Sequence, residues 1–175
     1  MALCATLSGL TLDCRDNVGG IEEVYIAAAS GSIAFTSAPT DGTSVITNIE
    51  LDGTAVTNLA TDFDTYQLVK QTGTFTETGT FSEENGTAFY TSVASAVFNK
   101  VEGAKLLELY NLGITTLLCV LVKDNNGNYW MLGNDRGALV SNSTTDFGTA
   151  FGDRNGLTIE FTGIDQKPVT QVTLS

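Results

Sequence analysis

Histidine is absent from the 175-residue sequence, which contains only two prolines, one tryptophan and three cysteines. Without histidine the chain has no imidazole base, no His-dependent catalytic triad and no imidazole metal ligand. Carboxylates alone can support catalysis, but no GxSxG, HExxH, Walker or GxGxxG pattern occurs. We therefore expect that the protein is not an enzyme and has no catalytic residue, cofactor or bound metal.

The cysteines are few and far apart: Cys4, Cys14 and Cys119 form no CxxC pair. An odd number at this spacing resembles neither a disulfide framework nor a zinc site, so we expect free thiols in a reducing compartment. Cys119 lies in the apolar run TTLLCVLV and is predicted to be buried. The N-terminus lacks the basic region of a signal peptide, and no apolar run reaches the roughly 20 residues that span a bilayer. These features predict synthesis in a cytoplasm and no membrane partner.

Positive charge is scarce as well, because 8 Lys and Arg stand against 20 Asp and Glu, for a net charge of −12. Proteins that bind nucleic acids depend on Lys and Arg to neutralise phosphates. This balance argues against specific DNA or RNA recognition. It is compatible with an acidic surface along which nucleic acid passes without being held.

What the sequence does contain favours β structure in a single domain, residues 1–175. Thr, Gly and Val are abundant, and only 16% of the residues are charged. We predict strands over Ile21–Ala29 and Leu157–Phe161, a fully buried strand over Leu117–Val122, and hairpin turns at Asp52-Gly53 and Asn126-Gly127.

The longest β pattern covers residues 65–100, with a polar tip at residues 82–86. Phe89 and Val93 fall on one face of its second arm, and Tyr90 and Phe98 fall on the other. A hairpin that is apolar on both faces needs cover on both, which predicts a neighbouring subunit. A helix is predicted from Asn99 to Ile114, with Asn99 and Glu102 as a capping box.

The polar motifs have structural interpretations. DNNGN at residue 124 resembles a calcium loop, but Tyr129 occupies the position where that loop needs glycine. GDRNG at residue 152 precedes a strand, whereas phosphate loops precede a helix. The carboxylates Asp13, Asp16, Glu22, Glu23 and Glu160 show no spacing that pairs them for catalysis. LDCRDNVGGIEEVYIA is interpreted as a strand, a bend, a glycine hinge and a second strand.

Four segments in order carry a resemblance: LDCRDNVGGIEEVYIA, GTFTETGTFSEENGTAFYTSVASAVFNK with the helix after it, VKDNNGNYWMLGNDRGALV, and GTAFGDRNGLTIEFTGIDQKPV. The chain resembles the tail tube (major tail) proteins of tailed bacteriophages, particularly those of Bacteroides-like hosts. The resemblance covers nearly the whole chain and is weakest in residues 30–62.

The resemblance implies a β-sandwich or β-barrel with one flanking helix and a long hairpin. About six copies would form a ring, and stacked rings would form a virion tail tube through which DNA passes. The implied partners are other copies of the chain and other tail or connector proteins. Ring closure would also remove open sheet edges, and an acidic wall would not hold DNA.

Two groups of residues are predicted to form subunit contacts. The hairpin contributes Thr74, Phe75, Thr76, Phe81, Phe89, Tyr90 and Val93. The strand beside the next subunit or ring contributes Arg15, Asp16, Ile21 and Tyr25. Three alternatives stay open: a head-to-tail connector or capsid-associated virion protein, the tube of a contractile injection system, and a carbohydrate-binding β-sandwich.

Overall fold

The computed structural model describes residues 17–35, 49–134 and 136–173, in which twelve strands and two helices occur. The strands are β1 (Ile21–Ala28), β2 (Ile33–Phe35), β3 (Ile49–Leu51), β4 (Thr54–Ala55), β5 (Asp64–Gln67), β6 (Thr74–Ser82), β7 (Thr87–Asn99), β8 (Leu118–Asp124), β9 (Tyr129–Leu132), β10 (Ala138–Asp146), β11 (Gly156–Asp165) and β12 (Thr170–Val172). The helices are α1 (Leu59–Asp62) and α2 (Gly103–Ile114). The mainly β prediction is confirmed, and the described strands do not close into a barrel.

Nine of these strands form one antiparallel sheet that folds over itself into two layers. The first layer has the order β12-β9-β8-β1-β5, and the second has the order β10-β11-β7-β6. The layers meet at a single pairing, Ala138 with Leu118. Between β9 and β10 the chain crosses from one layer to the other through Gly133 and Gly137, both at positive φ. A side chain at Gly163 would collide with the Gly133 backbone, so glycine permits this close approach.

The main core lies between the two layers. Alternate residues of β1 and β8 pack against alternate residues of β7 and β11, and Phe161 is the largest side chain that is fully buried there. Leu109 and Leu112 of α2 close one side of this core. The strand predicted over Leu157–Phe161 is confirmed as part of β11, in which Leu157, Ile159 and Phe161 are buried and alternate with half-buried neighbours.

A second core covers the opposite face of the first layer. Strands β2, β3 and β4 form a small sheet whose Ile49 packs with Cys119 and Leu121. Residues 118–122 of β8 are consequently buried on both faces within the chain itself, as their continuous apolar pattern predicted. Asp52 accepts hydrogen bonds from the backbone N–H groups of Ser30, Gly31 and Ser32, which tie the small sheet to the end of β1.

Both predicted tight turns are confirmed. Asp52 and Gly53 have positive φ values and connect β3 to β4. Asn126 and Gly127 lie between β8 and β9. The long hairpin is also present, with its tip after Ser82 and before Thr87.

Three details of the sequence-based prediction are wrong. The first hairpin arm begins at Thr74 because residues 64–67 pair with β1 instead. Helix α2 begins at Gly103 because Asn99 still pairs with Gly156, so Glu102 is the N-cap and makes no side-chain capping bond. The strand after the Asp52-Gly53 turn, β4, has only two residues, and the chain then forms α1, a second helix, whose N-cap Asn58 accepts a hydrogen bond from the Ala60 N–H. None of the helices in the described segments is long and apolar enough to cross a membrane.

Candidate subunit interface

The second layer has one face in the core and one face outside. Ala94 and Ala96 of β7 and Phe75 of β6 point into the core, so their sequence neighbours point outward. The outer positions are Thr74, Thr76, Thr78, Thr80 and Ser82 in β6; Thr87, Phe89, Thr91, Val93, Ser95, Val97 and Asn99 in β7; Thr158, Glu160, Thr162 and Ile164 in β11; and Leu139, Asn142, Thr144 and Asp146 in β10. We call these residues the outer face. Only Val97 among them is buried.

The outer face is polar and has no basic strand residue. Threonine is its commonest residue, Glu160 and Asp146 are its only acids, and neither Lys nor Arg occupies any of its positions. The guanidinium of Arg154, in the loop before β11, reaches Thr158 Oγ1 at 3.1 Å. Leu139 and Ile164 add apolar surface, because about half of each residue is exposed.

Both edges of the second layer are open among the described strands. β6 pairs with β7 alone, along nine residues. β10 pairs with β11, and its other edge meets β8 only at Ala138. An open edge of this length without proline exposes a row of backbone donors and acceptors that can pair with another chain. The four strands alternate in direction, so β6 of one copy would run antiparallel to β10 of the next.

The residues predicted at the subunit contact do not all lie on one surface of the structure. Four of them share the outer face: Thr74, Thr76, Phe89 and Val93. Phe81 and Tyr90 lie near the hairpin tip, with ring centroids 5.7 Å apart in an edge-to-face arrangement. These six residues are on or beside the open surface, and the contact itself stays a prediction.

The remaining predicted contact residues are placed differently. Ile21 is buried in the main core, and Phe75 packs against that core. Tyr25 contacts Tyr129 with ring centroids 5.8 Å apart, and its hydroxyl donates to Glu23 Oε2 at 2.6 Å. Burial raises the pKa of Tyr25, and the bond to Glu23 raises it further. Strand β1 is paired on both edges, by β5 and β8. Arg15 and Asp16 lie outside the described residues.

Sequence reasoning missed the contribution of β10 to the open layer. Residues 138–146 carry few large apolar side chains and a bulge between Val140 and Asn142, which interrupts the alternation that marks a strand. Sequence reasoning also missed Phe147 and Phe151, which are exposed in the loop between β10 and β11. The glycines around them indicated a turn, but not which side chains the turn would display.

One carboxylate links the hairpin to the C-terminal segment. Glu77, on the core side of β6, accepts a hydrogen bond from the Val169 N–H at 2.8 Å. Burial raises the pKa of Glu77; the Val169 bond opposes this increase, and the carboxylate of Asp165 adds to it. Asp165 Oδ2 in turn accepts from the Asn134 N–H at 2.8 Å. The first bond fastens the middle of the hairpin to the segment before β12, and the second fastens the end of β11 to the segment after β9.

The surface also contains an open pocket of about 490 Å³ between β5 and α2. Tyr66, Phe98 and Leu109 line it, and the Tyr66 hydroxyl donates to Glu108 Oε1 at 2.5 Å. Within the described segments, no three His, Cys, Asp or Glu side chains come together as a metal site would require. The pocket is an open, largely apolar groove whose lining includes the charged residues Lys105 and Glu108.

No protein-family model matches the sequence, and no curated protein matches it. Among solved structures, the chain is similar to a chain of the virion of a native gene transfer agent particle. The similarity has a TM-score of 0.39 and 6% sequence identity, over 63% of this chain and 89% of that chain. A likeness at this level is too weak to assign a function to the chain.

Proposed function

We propose that this protein is a virion structural subunit whose copies form hexameric rings that stack into the tail tube of a tailed bacteriophage. The carrying observation is the second layer, which combines two open edges with a polar outer face that lacks basic strand residues. The sequence resemblance supplies the tail tube and the number six. In this proposal the protein has no catalytic residue and no cofactor.

The open edges support ring formation. Pairing β6 of one copy with β10 of the next continues the antiparallel pattern, and repetition around a ring leaves neither edge of the second layer unpaired. Each copy would contribute four strands to a shared barrel. The outer face would then line the channel, because the opposite face is occupied by the core of each subunit.

The composition of the outer face supports a passage for DNA. Protein–DNA affinity arises mainly from Lys and Arg that displace counterions from phosphates. A wall of threonines with Glu160 and Asp146 offers hydroxyl groups and negative charge instead. DNA would therefore move through such a channel without being held. The protein would be synthesised in the host cytoplasm. In the virion its partners would be other copies of the chain and the proteins at the tube ends.

A cysteine cross-linking experiment tests the edge pairing. In a background with Cys4 and Cys14 replaced by serine, one cysteine is placed on β6 (Thr76, Thr78 or Thr80) and one on β10 (Asn142 or Thr144). Oxidation of the concentrated protein should give a ladder of covalent oligomers for the pairs that lie in register. The ladder should end at a closed ring of about six subunits on a non-reducing gel.

The matched control places both cysteines on interior strands, as Thr91→Cys with Thr158→Cys. Both positions lie on strands that are flanked on each side by strands of the same chain, so oxidation should leave the subunits monomeric. Rings visible by microscopy without cross-links at any edge pair would show that the ring uses another surface. An absence of rings and cross-links at high concentration would contradict the proposal as a whole.

One observation bears on the carbohydrate-binding alternative. Sugar-binding sandwiches commonly present an exposed aromatic platform, and the chain has a single tryptophan. Trp130 is half-buried, and its indole N–H donates to Asp124 Oδ2 at 2.9 Å. That arrangement holds the indole against the β8–β9 hairpin and favours a structural role for it.

A further inference from the structure

The second layer has two opposite ends, and each displays exposed phenylalanines. At one end is the β6–β7 tip, residues 80–89, where Ser82 pairs with Thr87. At the other end is the β10–β11 loop, residues 147–155, between the paired residues Asp146 and Gly156. Gly156 also pairs with Asn99, the last residue of β7. At about 3.3 Å per residue, the length of β7 separates the two ends by about 40 Å.

The β10–β11 loop is held in a defined conformation by its own carboxylates. Asp153 Oδ2 accepts hydrogen bonds from the N–H groups of Thr149 and Ala150, at 2.8 and 2.7 Å. Asp146 Oδ1 accepts from the Gly148 N–H at 2.9 Å. The backbone is thus ordered while Phe151 is fully exposed and Phe147 is 67% exposed. Rigid exposed aromatic side chains bind partners at low entropic cost.

The β6–β7 tip carries its aromatic residues on two faces. Phe81 is 68% exposed on the core side of the sheet and rests edge-to-face against Tyr90. Phe89 is 36% exposed on the outer face. The tip therefore presents apolar surface around its end, which no described part of the chain buries.

The tip is acidic, and the loop presents one cation that can pair with it. The tip contains Glu83 and Glu84 and no Lys or Arg between residues 80 and 89. In the loop, Arg154 forms no ion pair within the described residues, and its guanidinium bonds only to the Thr158 hydroxyl. The loop's acids, Asp146 and Asp153, accept hydrogen bonds from backbone N–H groups of the loop itself, and neither forms an ion pair with Arg154. The tip is thus acidic, and the loop offers an unpaired cation.

We infer that the β6–β7 tip of one copy docks on the β10–β11 loop of a second copy and so joins successive rings, an inference that rests on the proposed tube. Phe151 and Phe147 would pack against Phe81 and Phe89, and Arg154 would meet the tip carboxylates. A contact between two different surfaces of one chain closes into a ring or continues as an open stack according to geometry, and the tip and the loop lie at opposite ends of the layer, which gives an open stack. The axial repeat would be at most about 40 Å, less if the strands tilt.

A mixing experiment tests this head-to-tail contact. Phe151→Asp blocks the loop, and Phe81→Asp blocks the tip. Each variant alone should form single rings and no stacks under conditions in which the wild-type chain forms tubes. When preformed rings of the two variants are mixed, each ring has one competent surface, so pairs of rings should form and longer stacks should not. Negative-stain electron microscopy counts the rings per particle.

Further variants separate folding from docking. Glu83→Arg with Glu84→Arg is a tip variant that leaves the Phe81–Tyr90 contact untouched, and it should also abolish stacking. Circular dichroism and thermal unfolding should match the wild type for all variants. Normal tubes from the Phe151→Asp protein, or stacks longer than two rings in the mixture, would overturn the contact and leave the ring proposal intact. A wild-type protein that forms no rings would overturn both.

Discussion

Glu77 in the middle of β6 and Val169 just before β12 are joined by a hydrogen bond from the Val169 N–H to Glu77 Oε1, 2.8 Å long. This bond is the point at which the hairpin, otherwise attached through β7, is tied to the C-terminal strand of the first layer. Its strength and its pH dependence therefore contribute to how firmly the hairpin is held against the first layer.

Glu77→Gln should stabilise the monomer at neutral pH. Burial and Asp165 raise the pKa of Glu77 in the folded state, so the folded protein retains this proton to higher pH than the unfolded chain does. Stability therefore falls as pH rises from the unfolded pKa through the folded one. Glutamine keeps an acceptor for Val169 and removes the ionisation. The difference in melting temperature between variant and wild type should grow between about pH 4 and pH 7. An equal difference at all pH values would contradict this.

Cys119 should be unreactive in the folded protein. Its side chain is fully buried beneath the small sheet, and burial raises the pKa of the thiol to about 12. In a variant with Cys4 and Cys14 replaced by serine, a thiol reagent at pH 8 should modify Cys119 only as fast as the β2–β4 sheet or the whole chain opens. Increasing urea should accelerate the modification. Fast, urea-independent labelling would show that the small sheet does not cover β8.

Two phenylalanine truncations should differ sharply in their effect on folding. Phe161→Ala removes a fully buried ring from the main core and should lower the free energy of unfolding by about 3–5 kcal/mol. Phe151→Ala removes an exposed ring and should change it by less than about 0.5 kcal/mol. Urea denaturation monitored by circular dichroism measures both. A large effect at Phe151 would mean that the loop packs within the chain and is not displayed for a partner.

Lysines introduced on the outer face should give this surface an affinity for DNA. Thr91→Lys with Thr162→Lys should give salt-sensitive binding to a short duplex, because each new cation displaces counterions from phosphates. Fluorescence anisotropy at low and moderate salt measures the affinity. The wild type should show none, and the control Asn111→Lys with Thr116→Lys, which adds the same charge at exposed positions that are not part of the outer face, should bind far more weakly. Equal binding by the control and the wall variant would contradict the assignment of the channel surface.

Local sequence patterns predicted the parts of the fold that depend mainly on the residues within one strand or one turn. The apolar run at residues 118–122 predicted burial on both faces, and Asp52-Gly53 and Asn126-Gly127 predicted their turns. The start of α2 could not be predicted this way. Asn99 is a good capping residue, yet the strand pairing with Gly156 extends through it. Long-range pairing overrode a local preference there.

Local sequence patterns predicted only part of the candidate interface. Threonine and aromatic residues identified the hairpin, and its alternation placed Phe89 and Val93 on one face. Alternation could not show that Phe75 meets the core of its own chain, or that β10 completes the layer, because both depend on how the layers cross. The run at residues 118–122 predicted burial on both faces of β8 but not what covers the second face, which is the chain's own β2–β4 sheet.

The most direct test of the account is negative-stain electron microscopy of the purified chain, concentrated at several salt concentrations. The account predicts rings with a central hole, about six subunits in each, and stacks of these rings with an axial repeat of at most about 40 Å. A protein that stays monomeric at every concentration and salt, with its β6 and β10 edges unpaired, would contradict it.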